Sequence, residues 1–429
     1  MKSLRASILF LFISLFLVNT VYSAETLSWI DCVKEAAKNN PDLIAASEEI
    51  KQFQADKTIT ASALFPQVSG SMGASTTKVP LTTGKMITGT STRDSYTYGL
   101  DATQLIFDGF KTINEIRSAS ENIKAAQYNY RFTSTEVRLR LRSAFVELLA
   151  AQEQVRIAEQ IFELRKRNLE LVRLRYESGM EHRGALLVAR ANLGQAKYEI
   201  KQARRNINIA RQKLTKEMGR AAFKLVRAQG TLEVGDSAKV KPDFEKIAKD
   251  NPSLQQSIAL TRAANYNLKA TYANFFPTIT GDAGTGKTSQ LWPAHGDTWN
   301  AGLTVSLPIF EGGSRMAQVA QARALLNQLE ANTRSTKYSV VVALEQTWNI
   351  LQDMVDQVGV QHQMLLASDE RSKIAQAQYS LGYMTFDNWT IIEDNLVKSK
   401  KLFLDAQAAA LLAQANWVQA KGDTLEYEE

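Results

Sequence analysis

The most regular pattern in the chain is a seven-residue repeat of apolar positions that starts at Leu141. It runs through Leu141, Leu148, Val155, Phe162, Leu169 and Tyr176. A heptad sustained over this length is typical of a coiled-coil helix. The run stops at Ser178 and Gly179, where glycine can adopt the left-handed conformation that ends a helix. A second run follows, with alanines between its members: Leu186, Ala189, Leu193, Ala196, Ile200, Ala203, Ile207, Ala210 and Leu214. The pattern predicts two long helices folded back as an antiparallel hairpin.

The same arrangement occurs twice in the chain. Asn40-Pro41 recurs as Asn251-Pro252, and Phe65-Pro66 as Phe276-Pro277, both 211 residues later. Three more pairs are separated by 203 residues: Phe107-Asp108-Gly109 with Phe310-Glu311-Gly312, Tyr176 and Gly179 with Tyr379 and Gly382, and Gly219 with Gly422. The second heptad seam runs through Leu344, Leu351, Val358, Leu365 and Tyr379, but Ser372 interrupts it. These correspondences predict a tandem duplication of one structural unit.

Each repeat begins with a shorter helix that a Phe-Pro pair ends. Two strand candidates follow, and the second of them alternates strictly between apolar and polar residues. The predicted first repeat covers residues 24–220, with helices at about 40–64, 109–178 and 181–218 and strands at about 66–76 and 95–107. The second covers residues 251–422, with helices at about 252–275, 312–381 and 384–420 and strands at about 277–287 and 298–309. Residues 221–250 connect the repeats, and 423–429 form a C-terminal tail.

The predicted strands are close to the 9 to 11 residues that cross a bilayer. A chain with four strands cannot close a membrane barrel, because the smallest examples have eight strands and open sheet edges are not tolerated in lipid. Several chains must therefore combine their strands. Three copies would supply twelve, although strand arithmetic alone also admits two or four copies. The fold class is mostly α with a β-barrel part.

Residues 1–23 have the features of a secretory signal peptide. Lys2 and Arg5 precede an apolar run that is too short to span a bilayer, and small residues follow at Ser23 and Ala24. We therefore expect an exported protein. The single cysteine, Cys32, lies beyond the cleavage point, so we expect no lipid anchor and no intrachain disulfide.

The charge distribution is uneven along the chain. The formal net charge is +7, and residues 138–227 contain 21 Lys and Arg against 9 Asp and Glu, whereas residues 340–422 contain 6 against 9. Basic residues between heptad positions usually form a solvated helix face, and an exported chain rarely meets nucleic acid. We predict no nucleic-acid partner. Basic stripes that line a tube or face a partner protein remain a hypothesis.

The order of these features resembles that of the TolC-like outer membrane efflux proteins. The resemblance covers residues 24–422 and rests on the doubled series of helix, Phe-Pro, strand pair, Phe-Asp/Glu-Gly and long hairpin with a Tyr-x-x-Gly tip. It implies a homotrimer with a twelve-stranded outer-membrane barrel and a twelve-helix periplasmic tunnel. It also implies an exit duct that serves an inner-membrane transporter through a periplasmic adaptor, in efflux or type I secretion. The connector would then belong to an equatorial belt around the helices.

The resemblance also implies that the helix tips close the tunnel. The tip residues are Tyr176, Gly179, Tyr379, Gly382, Met384 and Asp387. Tyr379 corresponds to the family's gate tyrosine, whereas the family's arginine is Met384 here and its two aspartates are Asn388 and Ile391. The family's gate bonds therefore do not carry over. We expect Tyr379, Asp387 and packing by Met384 and Phe386 to hold the closed state, with an ordinary role in the coil seam as the alternative.

One segment matches the P-loop pattern of nucleotide-binding proteins. Residues 281–288 match G-x-x-x-x-G-K-[ST], but a P-loop requires a helix immediately afterwards, and Pro293 and Gly296 prevent one here. We predict a strand and its loop instead. The three histidines do not combine with Cys32 into a metal site or a catalytic triad. We predict no enzymatic activity, no metal and no cofactor.

Two functional hypotheses follow from the sequence. The first is a passive outer-membrane conduit, in contact with lipid through its strands. The second is an exported soluble coiled-coil scaffold without a membrane pore, whose strands pair on a protein surface. The apolar faces of the strands near residues 96–106 and 299–309 favour the conduit, because a scaffold has little use for them.

Overall fold

The computed structural model of the protein describes residues 25–83, 86–223, 225–233 and 240–425. The predicted signal peptide lies outside these residues, as do residues 426–429 of the tail. The described chain forms two compact units. One contains the described residues 25–40, 137–223, 225–233 and 349–416, and the other contains 41–83, 86–136, 240–348 and 417–425.

Helices account for most of the described chain, and two of them are 67 residues long. At 1.5 Å per residue, each long helix measures roughly 100 Å. The helices are α1 (Trp29–Asn39), α2 (Pro41–Ser62), α3 (Lys111–Glu177), α4 (Arg183–Glu217), α5 (Phe244–Asp250), α6 (Pro252–Ala273), α7 (Ser314–Ser380) and α8 (Phe386–Lys421). In the heptad seam of α4, the small residues Ala189, Ala196, Ala203 and Ala210 are buried. The apolar spacing therefore produces the close helix contact that the sequence predicts.

The two repeats share a hydrogen bond at the C-terminal ends of α4 and α8. Asn40 Nδ2 donates to the carbonyl oxygen of Glu217 at 2.8 Å. In the second repeat, Asn251 Nδ2 donates to the carbonyl oxygen of Ala420 at 3.0 Å. Since the paired residues correspond in the two repeats, the same side chain satisfies an orphan carbonyl at the end of α4 and of α8.

Two short strands and a network of side chains hold the segment before α1. Strand β1 (Glu25–Leu27) pairs in parallel with β4 (Val226–Ala228), which lies in the predicted connector. Gln152 on α3 satisfies both backbone groups of Ala228, at 3.0 Å each. The Arg220 guanidinium pairs with Glu25 and Glu35. The connector thus packs on α3 through specific hydrogen bonds.

The remaining strands form one antiparallel sheet in the order β2-β3-β5-β6. They are β2 (Gln67–Thr83), β3 (Met86–Phe107), β5 (Thr278–Ser289) and β6 (Gly296–Ser306). The two repeats are joined at β3 and β5, where Tyr98 faces Lys287 and Ala102 faces Ala283. Among the described residues, the outer edges of β2 and β6 pair with no other strand.

The first hairpin is longer than the sequence predicts. Its strands extend beyond the predicted 66–76 and 95–107, to Thr83 on one side and back to Met86 on the other. The added residues contain many threonines together with Lys78, Arg93 and Asp94, so the strict apolar alternation of residues 96–106 does not continue into them. β-branched residues still favour strand. The Gly281–Thr288 segment lies entirely within β5 and no helix follows it, which confirms the strand prediction over the P-loop.

The sheet has one apolar and one polar face. Registered neighbours on the apolar face include Val68, Met72, Tyr98, Leu100, Ala102, Ala283, Trp299 and Leu303. The polar face carries Ser69, Thr97, Asp101, Thr103, Asp282, Asn300 and Thr304. This is the alternation expected of a sheet between lipid and water.

Two glycines let strands β3 and β5 approach closely on the polar face. A Cβ atom added to Gly99 would lie 2.8 Å from Thr285 O, and one on Gly286 would lie 2.5 Å from Tyr98 O. Gly99 and Gly286 are partners in the register of β3 with β5. Glycine at both positions therefore allows the two backbones to lie closer together than side chains would permit.

Among the described residues, no helix is long and apolar enough to cross a membrane.

Candidate functional site

The two helix tips are closed by glycines in the same conformation. Gly179, after α3, has φ +77°, and Gly382, after α7, has φ +83°. In each turn the following residue donates a hydrogen bond five residues back, Met180 to Arg175 O at 2.8 Å and Tyr383 to Gln378 O at 2.9 Å. These are Schellman motifs, which end a helix sharply at a left-handed residue.

An apolar cluster packs behind these turns and involves α3, α4, α7 and α8. Its buried members are Val172, Ala185, Leu186, Ala189, Ala375, Tyr379, Phe386, Trp389 and Ile392. At its centre, the Tyr379 ring stacks on Trp389, with ring centroids 4.3 Å apart and an interplanar angle of 11°. Stacked aromatic pairs contribute about 0.5–1.5 kcal/mol beyond their buried area. The stack therefore fixes α7 against α8 at the tip.

Tyr379 also ties its own hairpin to the other one. Its hydroxyl donates to Glu181 Oε2 at 2.9 Å. The Arg175 guanidinium lies over the Tyr379 ring, 4.7 Å from the centroid, and Nη1 donates to the Tyr379 carbonyl oxygen at 2.9 Å. Arg175 and Glu181 lie on either side of the α3–α4 turn, so one side chain from each end of that turn contacts Tyr379.

The electrostatic setting of Tyr379 favours the neutral phenol. Burial and, after it, the hydrogen bond to Glu181 raise the pKa of Tyr379 above its ordinary value. The phenol of Tyr379 therefore stays protonated at neutral pH, and its hydroxyl remains a hydrogen-bond donor.

The structure places the six predicted tip residues in different environments. Tyr379 is fully buried, and Met384 packs against the apolar cluster. Tyr176 is 38% exposed, and the Asp387 side chain is exposed in the first turn of α8. Gly179 and Gly382 form the turns themselves.

Three residues of this site were not predicted. Arg175, Glu181 and Trp389 make the closest contacts to Tyr379, whereas the sequence pointed to Asp387 and Met384. Trp389 could have been found, because it starts a seven-residue repeat in α8 that continues through Leu396, Phe403, Ala410 and Trp417. Arg175 and Glu181 lie on the opposite hairpin, and no periodicity links them to Tyr379.

No group of three or more His, Cys, Asp and Glu side chains that could hold a metal ion occurs in the part of the chain that the structure describes. The tip joins helices through aromatic packing and hydrogen bonds. These contacts connect the α3–α4 hairpin to the α7–α8 hairpin, so they must break before the two hairpins can separate at the tip.

Solved structures of outer membrane channels share this fold. The chain aligns with a structure of CusC at TM-score 0.80 and 22% identity, over 91% of each chain. It aligns with the Campylobacter jejuni CmeC outer membrane channel at TM-score 0.80 and 19% identity, over 92% of this chain and 86% of that one. The chain therefore has the fold of an outer membrane channel.

The chain belongs to the outer membrane efflux protein family, whose model matches residues 32–220 and 244–429. It is 24% identical over 410 residues to the outer membrane efflux protein BepC of Brucella suis, covering 94% of this chain and 83% of BepC. It is 23% identical to the cation efflux system protein CusC of Escherichia coli K12, covering 91% and 85%. Membership confirms the predicted location in the outer membrane with extension into the periplasm. Members form trimers and function with inner-membrane pumps and adaptors.

Proposed function

We propose that the protein is the outer-membrane exit duct of a tripartite efflux or type I secretion system. Three copies form a twelve-stranded barrel and a twelve-helix periplasmic tunnel. Substrate passes passively from an inner-membrane transporter, through a periplasmic adaptor and this duct, to the exterior. Conduction of this kind requires no catalytic residue and no cofactor.

The observation that carries the proposal is the amphipathic sheet with two unpaired edges. The apolar face suits contact with lipid, and the polar face suits a water-filled lumen. Its open edges are not tolerated in a bilayer, so β2 of one copy must pair with β6 of another. This requirement supports a closed ring of several copies.

The length of the strands supports their placement in the membrane. From Ile279 to Lys287 the strand β5 spans nine residues, which is within the 9 to 11 that a tilted strand needs to cross a bilayer. The apolar band of outer-membrane barrels is about 25 Å tall and is flanked by aromatic residues. At one end Trp292 contacts Tyr96 and Tyr98, with ring centroids 6.0 and 6.4 Å apart. Exposed phenylalanines lie at the other end: Phe65, Phe276 and Phe310.

We further propose that the helix tips form the periplasmic gate and meet the adaptor. The gate residues are Tyr176, Gly179, Tyr379, Gly382, Met384 and Asp387, joined by Arg175 and Glu181. The hydrogen bond from Tyr379 to Glu181 supports this role, because it connects the two hairpins that must separate for the tunnel to open. Asp387 is exposed, which suits contact with another copy or with the adaptor.

Purified protein in mild detergent tests the assembly and the pore together. We expect light scattering to give three times the mass of the mature chain, and planar lipid bilayers to show discrete conductance steps. Fractionation of cells provides the control, since the scaffold alternative predicts recovery in the periplasmic supernatant without detergent. A single copy, or the absence of conductance from correctly sized trimers, would refute the duct.

A further inference from the structure

The serine that interrupts the second heptad seam belongs to a buried polar layer. Ser372 Oγ on α7 donates to Glu393 Oε1 on α8. Asn168 Nδ2 on α3 donates to Glu393 Oε2 at 2.9 Å. Glu393 is 1% exposed, Ser372 5% and Asn168 7%. Three helices therefore meet at one carboxylate, and each of its oxygens accepts a hydrogen bond.

A charged pair lies directly beside this layer. Arg165, one turn before Asn168 on α3, forms an ion pair with Asp394, the residue after Glu393. Helices α3 and α8 thus make two adjacent polar contacts. Such contacts can form in only one register, because sliding either helix by a turn would leave Glu393 buried without its donors.

The polar layer adjoins the apolar tip cluster on every helix. Glu393 follows Trp389 by one turn of α8, and Asn168 precedes Val172 by one turn of α3. Ser372 lies three residues before Ala375 on α7. Whatever fixes Glu393 also fixes the position of Trp389 relative to the Tyr379 ring.

We propose that Glu393, held by Asn168 and Ser372, is a positioning residue for the gate. It sets the register of α8 against α3 and α7, and this register keeps Trp389 stacked on Tyr379. A polar group in a coiled-coil seam commonly specifies register at a cost in stability. The inference rests on the proposed gating role of the tip, although the register itself can be measured without any conductance.

The unused hydrogen-bonding atoms of the layer suggest a swap experiment. Asn168 Oδ1 is buried and has no hydrogen-bond partner among the described residues. Asn168→Asp would place a second carboxylate against Glu393 and remove the donor between them. Adding Glu393→Gln would restore one donor and one acceptor with the wild-type net charge, and Ser372 could still donate to the carbonyl oxygen of the introduced amide.

Hydrogen exchange and bilayer conductance should be measured on detergent-purified full-length protein for the two single variants, the double variant and the wild type. We expect Asn168→Asp to accelerate amide exchange in residues 386–396 at least tenfold and to raise the resting conductance severalfold. The double variant should return both within about threefold of wild type. Glu393→Gln alone should resemble wild type, because the Asn168 amide can turn over and accept from it. Asn206→Asp, at an exposed position on α4, is the matched control and should change neither.

Several outcomes would overturn the proposal. Wild-type exchange in Asn168→Asp, or a double variant that fails to recover, would show that the layer does not set the register. Faster exchange with unchanged conductance would remove its role in the gate. If Asn168→Asp does not fold, recovery of a folded, protected tip in the double variant supports the proposal, and failure of both refutes it. A wild type that never conducts contradicts the duct and leaves the exchange comparison intact.

Discussion

Tyr176 and Tyr379 occupy the same position in the two repeats and have different surroundings. Tyr379 is enclosed by Trp389, Arg175 and Glu181, whereas Tyr176 is partly exposed. The α7–α8 tip thus contains the stacked pair Tyr379 and Trp389, and the α3–α4 tip supplies Arg175 and Glu181, which contact Tyr379. The two repeats therefore differ at their tips in the contacts of this tyrosine.

Replacing Tyr379 by phenylalanine tests the hydrogen bond between the two tips. The variant keeps the ring stack and removes the hydrogen bond to Glu181. A hydrogen bond to a charged group contributes about 1.5–3 kcal/mol, so we expect tip separation to become at least tenfold more favourable. Single-channel recording should show more frequent opening. Tyr176→Phe is the matched control, and an equal effect in both variants would contradict the assignment.

Cys32 offers a test of packing on α1. Burial, followed by the charges of Asp31 and Glu35, raises its thiol pKa to about 12. The neutral thiol thus contributes stability that is full below the unfolded-state pKa and is lost as pH rises towards 12. We expect the folded protein to react with a disulfide reagent at pH 8 far more slowly than the unfolded protein. Rapid reaction of the native chain would show that α1 does not stay packed.

At the scale of elements, the tip turns depend on glycine. At Gly382 the positive φ makes any other residue costly, so Gly382→Ala should destabilise the turn by about 1 kcal/mol. Gly194 lies exposed within α4, and nothing lies within 4 Å of a Cβ added there. Gly194→Ala should stabilise that helix by about as much. Local hydrogen exchange measures both changes, and equal signs would argue against the turn geometry.

Periodicity predicted the long helices, because helix formation depends on local spacing, whereas the prediction of two repeats came from residues 203 and 211 positions apart. It placed the alanine seam of α4 and the break at Gly179 correctly. It did not predict the length of the first hairpin, since the strict alternation of residues 96–106 does not continue into the added residues. Nor did it reveal the contacts of Tyr379 with Arg175 and Glu181, which depend on how separate helices are rotated about their axes. Such rotations are set by packing across hundreds of residues of sequence.

At the scale of the whole molecule, the two faces of the sheet make opposite predictions. Leu303 lies on the apolar face and Thr304 on the polar one. Arginine at a lipid-facing position costs about 2–4 kcal/mol at the bilayer midplane. We expect Leu303→Arg to reduce recovery in the outer-membrane fraction and Thr304→Arg to leave it unchanged. The reverse ranking in quantitative blots of membrane fractions would mean that the faces are assigned the wrong way round.

The pairing of β3 with β5 has a consequence for the evolution of the assembly. Before duplication, an ancestral ring of single-repeat chains would have needed a fresh encounter between molecules at every hairpin boundary. In the ring that we propose, fusion turned half of those encounters into events within one polypeptide, at an effective concentration that does not depend on expression level. A low protein concentration then slows assembly at fewer strand pairings. The two repeats also became free to diverge in sequence.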